Sequence, residues 1–385
     1  MKNTCTAIKN AHVVLENGII FDGVILIKDG KICGFGPAWE MEIPSGAECI
    51  DAEGAYVGPG FVDIHVHGGG GASTCAEPAK AAAHFLRHGT TSLLSTTSYH
   101  MTFDLIMDSI RTIREAMKDT KMIKGIYMEG PYTNPIYGSH ADQNPWHGAI
   151  DHEQSHAMVD ACGTDVLVWT IAPEREGIAD FMTYARAVNP SVRFAVGHSE
   201  AMPSEIRALG STLAPTIMTH TFDATGRRPV PGGTRGYGPD EYCMQTLDMY
   251  AELISDSCGI HVHPDLQRML LHAKGVGRMI LITDSTVHNN PTPAHLAHVT
   301  DLNFDHNGGI AGSKMTMDLA CRNIMSSTNC GIAQAFLMAS TNPARAVGLD
   351  SEIGSVAIGK TADLIFVDDL FRVKRVMLGG ELCDI

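Results

Sequence analysis

The sequence predicts an α/β protein: a TIM-like (β/α)8 barrel with a small β-sandwich domain formed from both chain termini. Three observations lead there. Between Gly58 and about Leu349, short apolar runs alternate with segments whose apolar residues fall at helical spacing. The two ends differ, being short β-rich runs broken by turn residues. The chain has 385 residues, too long for one small core and suited to one large domain plus a smaller one.

At the N-terminal end, "AHVVLENGIIFDGVILIKDGKICGFGP" breaks at "ENG", "DG" and "DGK", which are hairpin signals between strands. The C-terminal "GSVAIGKTADLIFVDDLFRVKRVMLGGELCDI" has the same character. Neither end can bury much apolar surface alone, so residues 1–56 and 351–385 are expected to combine into one small domain. Residues 57–350 are expected to form the barrel. Its eight candidate strands are "GFVDIHVH", "TTSLLSTTS", "MIKGIYMEG", "DVLVWTIAPE", "VRFAVGHS", "PTIMTHTF", "CGIHVHP" and "RMILITDS". Between them, stretches such as "AEPAKAAAHFLRHG", "MTFDLIMDSIRTIREAMKD" and "PDEYCMQTLDMYAELISD" carry helical spacing. Regular alternation of this kind implies parallel βαβ units, and eight of them imply closure.

Bulk properties narrow the function. A formal net charge of −15 argues against a nucleic-acid surface, though not against a local pocket for a small anion. Ten cysteines are scattered without a C-x-x-C pair, the pattern of reduced thiols rather than a disulfide framework. No run approaches the roughly 20 apolar residues of a membrane span. The first residues lack the apolar core of a signal peptide. A cytoplasmic protein with no membrane partner is expected.

In a β/α barrel, chemistry sits at the C-terminal ends of the strands. Strand one ends in His65 and His67, strand three in Glu129, strand five in His198 and strand six in His220. Strand seven carries His261 and His263, and strand eight ends in Asp284. With 19 histidines in the chain, any one of them near a strand end has an ordinary structural explanation. Recurrence at the same position in successive units does not. Converging imidazoles and carboxylates form a ligand set for zinc or a similar divalent metal. His84, His88, His152, His156 and His272 fall in helical or loop stretches and suit solvated or capping roles. Met315 and Met317 suit packing.

These residues lie in motifs that resemble the amidohydrolase superfamily, and within it the N-acetylglucosamine-6-phosphate deacetylases. The motifs run in family order: "PGFVDIHVHGGGG", "GTTSLLSTT", "MEGPY", "TIAPE", "GHSEA", "THTFDA", "GIHVHP", "LITDS", "AGSKMTM", "NPA" and "IGSVAIGKTADLIFVD". The resemblance covers nearly the whole chain. It implies a primary metal site of Glu129, His198 and His220, a catalytic carboxylate at Asp284, and a second metal position at His65 and His67 that only some relatives keep. It implies one or two divalent metals per subunit, with zinc foremost and iron, manganese or cobalt as alternatives. It implies substrate contacts at Ser139, His140, Asp223, Ala224, Arg227, His261, Ile310, Ala311 and Gly312. It implies a homodimer in which the Arg and the "GIHV" histidine reach the neighbour's phosphate site. The implied reaction converts an N-acetylhexosamine 6-phosphate, the glucosamine compound first, to acetate and an amino-sugar 6-phosphate in amino-sugar catabolism. The alternatives are the galactosamine counterpart, another N-acyl or cyclic amide, and a metal-binding barrel without catalysis.

Two comparisons within the superfamily sharpen this. Hydantoinase-like enzymes bridge two metals with a carboxylated Lys on strand four, and "DVLVWTIAPE" has none. Adenosine-deaminase-like enzymes place a proton-donating Glu soon after the strand-five His, a position that Glu200 approaches. The simpler expectation for Glu200 is a first-turn helix carboxylate. One departure stands out. Asp223 replaces the family's usual Asn near the substrate phosphate, and would repel a dianion unless Arg227 or Arg228 compensates.

Overall fold

The computed structural model describes residues 5–230, 232–233, 235–287 and 290–384. Two eight-stranded sheets dominate it. The central sheet is parallel throughout and its strands neighbour one another in chain order: Phe61–Val66, Thr90–Thr97, Ile123–Glu129, Val166–Ile171, Arg193–Val196, Ile217–Met218, Tyr250–Ile254 and Met279–Ile282. The ring closes at its top, where Asp284 N donates to His65 O at 3.0 Å and His67 N to Ser285 O at 2.9 Å. This is the expected (β/α)8 barrel. No described helix is long and apolar enough to cross a membrane.

The barrel strands are almost entirely buried on both faces, as parallel strands covered by helices should be. One apolar cluster lies between strands and helices, where Phe103–Asp119 contributes Ile106, Ile110 and Ile113 from one face. That helix begins where Thr102 accepts a hydrogen bond from Leu105 N. A second cluster fills the barrel interior with Val62, Ile64, Leu94, Val168, Ile217 and Ile280. The interior is therefore packed, and only its upper end is left for chemistry.

Strand seven departs from expectation. It was placed at "CGIHVHP", but the strand is Tyr250–Ile254. The preceding helix is only Pro239–Gln245. His261 lies in the loop beyond the strand, and the His263 side chain caps the next helix, Pro264–Lys274. "YAELI" is a short apolar run, and periodicity alone cannot separate a buried strand from a continuing helix at that length. The shift brings a different residue, Glu252, to the barrel interior.

Strands from both termini form the separate sheet. Thr6–Leu15 lies between Gly18–Lys28 and Tyr56–Pro59, and Glu48–Asp51 also pairs with it. Leu364–Val367, Val373–Leu378 and Glu381–Leu382 extend the sheet from the other end of the chain. The "ENG" and "DGK" signals turn the chain as expected, whereas the "DG" at Asp22 and Gly23 lies inside the Gly18–Lys28 strand, at an irregularity in its pairing with Thr6–Leu15. Leu15 pairs with Gly18, and Lys28 with Lys31 across Asp29 and Gly30, both at positive φ.

The sheet is locked to the barrel by aromatic packing. Phe336 sits 5.9 Å from Phe61 and 5.1 Å from Phe371, ring centre to ring centre. A Cβ on Gly58 would fall 2.5 Å from the Phe336 ring, so the sheet backbone rests directly on it. Phe336→Ala removes a fully buried ring at this junction and is expected to cost about 3–5 kcal/mol of stability, measured by denaturant unfolding.

Candidate metal centre and substrate pocket

Chain geometry at the strand ends has a repeating logic. Glu129 is the last residue of strand three. His198, His220 and Asp284 each lie two residues past the end of their strands. All three have left-handed backbones, with φ of 45°, 26° and 45°. Such conformations cost of order 1 kcal/mol or more for a non-glycine residue and persist only where surroundings enforce them. They turn each side chain inward over the barrel mouth. His65 points inward from strand one, and His67 follows just beyond it.

The four histidines share one arrangement. Each has its Nδ1 beside an oxygen: Glu252 Oε2 for His65 (3.1 Å), Ser98 Oγ for His67 (3.2 Å), Tyr137 O for His198 (3.2 Å) and Asp223 O for His220 (3.2 Å). An Nδ1–H donated outward leaves the Nε2 lone pair facing in. The Nε2 atoms of His198 and His220 are 3.1 Å apart, and lie 2.9 and 3.1 Å from Glu129 Oε1. His65 Nε2 lies 3.4 Å from Glu129 Oε1, and His67 Nε2 lies 3.4 Å from Glu129 Oε2 and 3.2 Å from Asp284 Oδ1. Donor atoms about 2.1 Å from a shared tetrahedral cation sit about 3.4 Å apart, so the cluster fits a metal of zinc's size.

Electrostatics point the same way. Burial alone would raise Glu129, but the charge and hydrogen bond of His198, the hydrogen bond of His220 and the nearby imidazole of His65 hold its carboxyl well below the usual range. Burial alone would lower His220, but Glu129 and Asp223 lift it to about 9. Burial would raise Asp284, yet the His67 hydrogen bond and the charges of His65 and His67 bring it below the usual carboxylate value. Cluster carboxylates are thus stabilised as anions beside groups that favour positive charge, the environment a divalent cation also requires.

Above the cluster lies a cavity of about 340 Å³. Ser139, Asp223, Ala224, Ile310, Ala311 and Gly312 line it together with His67, Glu129, His198, His220 and Asp284. His140 stands beside it, its Nδ1 3.2 Å from Ser139 Oγ and its ring stacked on His100. Ile310–Ser313 belongs to a hairpin with Leu302–Phe304, inserted after strand eight.

Two residues expected at the phosphate, Arg227 and His261, lie outside this chain's own cavity lining. Arg227 does not line its own pocket and pairs with Glu241 at 3.0 Å. The His261 side chain, in the loop after strand seven, is fully buried within this chain beside Asp256. Burial would lower its pKa, but Asp256, Asp223 and Asp284 raise it.

Among the described residues, the compensation considered for Asp223 is also absent. Arg228 pairs with Glu200 and Glu205, and Arg235 with Glu241. Among the described residues no Lys or Arg lines the cavity, while Asp223 and Asp305 do. Pro231 and Thr234 of the same segment lie outside the described residues. Glu200 accepts from Tyr137 OH at 2.8 Å, outside the cavity lining, which removes the proton-donor alternative.

Sequence reading missed several site residues. Ser98, Tyr99 and His100 follow strand two and line the cavity. Their only signal was position, since strand two ends without an imidazole or carboxylate. Tyr99 OH donates to Ser139 O at 2.6 Å, and burial pushes its pKa well up, which keeps the phenol a donor. Glu252 was hidden in a stretch assigned to a helix.

Comparison with known proteins finds similarity to amidohydrolases over part of the chain and to sugar-phosphate deacetylases over nearly all of it. The amidohydrolase family model matches residues 259–383. The structure of N-acetylglucosamine-6-phosphate deacetylase from Pasteurella multocida superposes with a TM-score of 0.85 over 98% of this chain and 99% of that one, at 23% identity. More particularly, the chain is similar to N-acetylglucosamine-6-phosphate deacetylase of Bacillus subtilis, at 28% identity over 97% of this chain and 96% of the relative. It is equally similar to N-acetylgalactosamine-6-phosphate deacetylase of Escherichia coli O157:H7, at 28% identity over 96% and 97%. The Mycobacterium smegmatis deacetylase, solved in complex with N-acetyl-D-glucosamine-6-phosphate, superposes at a TM-score of 0.80 with 27% identity, covering 98% of this chain and 99% of that chain.

Gly138 makes a test of the site. Its φ is +103°, and a Cβ there would fall 2.6 Å from Tyr99 OH and 2.7 Å from His198 Nδ1. Gly138→Ala is expected to displace His198 and lower metal affinity at least tenfold, read by chelator competition.

Proposed function

We propose that the protein is a metal-dependent deacetylase of N-acetylhexosamine 6-phosphates, with N-acetyl-D-glucosamine 6-phosphate as first candidate and the galactosamine isomer as second. One observation carries the chemistry: four outward-anchored imidazoles and two carboxylates converge on the floor of one cavity. Similarity to deacetylases along nearly the whole chain supports the substrate class.

Glu129, His198 and His220 would hold the primary cation, zinc foremost, and His65 with His67 a second. When bound, the cation polarises the acetamide carbonyl and lowers the pKa of an attacking water. The remaining work falls to the chain. Asp284 is ionised at neutral pH and stands at the edge of the cluster, so it takes the proton of the attacking water. His140 stands beside the cavity to donate to the carbonyl oxygen as negative charge develops there. Collapse of the tetrahedral intermediate breaks the C–N bond. Asp284 returns its proton to the departing nitrogen, which leaves as an amine rather than an anion. Acetate and the amino-sugar phosphate are the products.

Residues 57–350 would carry this chemistry, with the terminal sheet as support. The ten cysteines are free thiols, which supports a reducing, cytoplasmic setting. A homodimer would supply the cation that the phosphate lacks within one chain. Arg227, half exposed and turned away from its own cavity, is the candidate donor to the neighbour.

Acetate release from a panel of N-acetylated sugars, their 6-phosphates and N-acetyl amino acids tests the reading, which requires turnover of a hexosamine derivative. Asp284→Asn should retain the primary metal at Glu129, His198 and His220 and lower kcat by roughly 10²–10⁴-fold. Near-normal turnover in that variant would remove Asp284 from its role. Arg227→Ala should raise KM for the 6-phosphate at least tenfold while leaving the free sugar unchanged. Equal effects on both would remove the neighbour's contribution.

A further inference from the structure

Glu252 lies in the interior of the barrel on strand seven, fully buried. Burying a carboxyl group is costly unless it is hydrogen-bonded. Its Oε2 meets two groups at once: His65 Nδ1 at 3.1 Å and the backbone N–H of His220, which donates at 3.3 Å. One oxygen thus touches both halves of the cluster. It fixes the ring of His65 from strand one and the left-handed backbone of His220 beyond strand six.

The other face of His65 needs explanation. Its Nε2 is buried and has no hydrogen-bond partner. The nearest acceptors, Glu129 Oε1 at 3.4 Å and Asp284 Oδ1 at 3.7 Å, are beyond ordinary hydrogen-bond distance. With Nδ1–H donated to Glu252, Nε2 presents a lone pair to two carboxylates. Those groups repel unless a cation lies between them. His67 repeats the pattern, with Nδ1 beside Ser98 Oγ and Nε2 facing the same two acids.

We propose that Glu252 is a positioning residue, holding His65 for the second divalent cation of the metal-centre reading above, where His67, Glu129 and Asp284 also face. Glu252 sets the tautomer and ring angle of His65, as a carboxylate behind a metal-binding imidazole does. The proposal rests on the metal-centre reading above and not on the choice of substrate. The competing arrangement is a doubly protonated His65 bridging Glu252 and Glu129, with no second cation.

The test is zinc content, not activity. The full chain is dialysed against buffered free zinc and analysed for metal, with affinities from chelator competition. Two zinc ions per wild-type chain are expected, and Glu252→Leu should lose the one at His65 and His67 while keeping the other, held more weakly because His220 N–H loses its acceptor. Glu252→Gln retains an oxygen acceptor in the same place and should bind both, holding one of them roughly 10–100-fold more weakly. If Glu252→Leu does not fold, the selective weakening in Glu252→Gln carries the test. A single zinc in the wild-type chain would overturn the proposal in favour of the protonated bridge. Unchanged affinity in both variants, or equal loss of both zinc ions, would also overturn it. Failure to deacetylate any sugar would remove the substrate reading and leave the zinc count standing.

Discussion

Glu129 holds the centre of this molecule. One of its oxygens lies within 3.4 Å of three imidazole nitrogens, from strand one and from just beyond strands five and six, and the other faces a fourth. Elements from more than 150 residues of chain must be in register for that to happen. Barrel closure supplies the register. The same backbone hydrogen bond that joins strand eight to strand one, Asp284 N to His65 O, sets the Asp284 carboxylate beside the first imidazole. Site and closure are one construction, so a change that loosens the ring would also spread the ligands.

The second layer is as organised as the first. Glu252, Ser98 and two backbone carbonyls stand beside the Nδ1 atoms of the four histidines. Tyr99 and the narrow passage at Gly138 hold the Ser139–His140 loop over the centre. The glycine run after strand one has a related reason. A Cβ on Gly69 or Gly70 would collide with Phe85 or His84, so the loop packs directly on the following helix instead of hanging free over the mouth. The cavity is acidic, lined by Asp223 and Asp305 as well as Glu129 and Asp284. Arg227, Arg228 and Arg235 are occupied by Glu200, Glu205 and Glu241, which leaves Asp223 facing the substrate space without a cationic partner from the same segment.

Much of this was legible in advance. Strand–helix alternation marked the barrel, and a polar residue closing an apolar run marked Glu129, His198, His220 and Asp284. These signals are local: a buried parallel strand is apolar, so a charge at its end is conspicuous. Strand seven was not legible, because "YAELI" is too short to show a period and its glutamate looked like the polar face of a helix. Ser98, Tyr99 and His100 carried no local signal either.

Pattern in the chain was enough to establish the barrel, the terminal sheet and the chemical character of the mouth, because burial constrains the residue at each successive position. Only the folded ring decided which groups meet. The pairing of Glu252 with His65 joins residues 187 apart in sequence, and the removal of Arg227 and Arg228 from the cavity depends on which carboxylates fold beside them. Such contacts are set by distances across the barrel, which neighbouring residues in the chain do not encode.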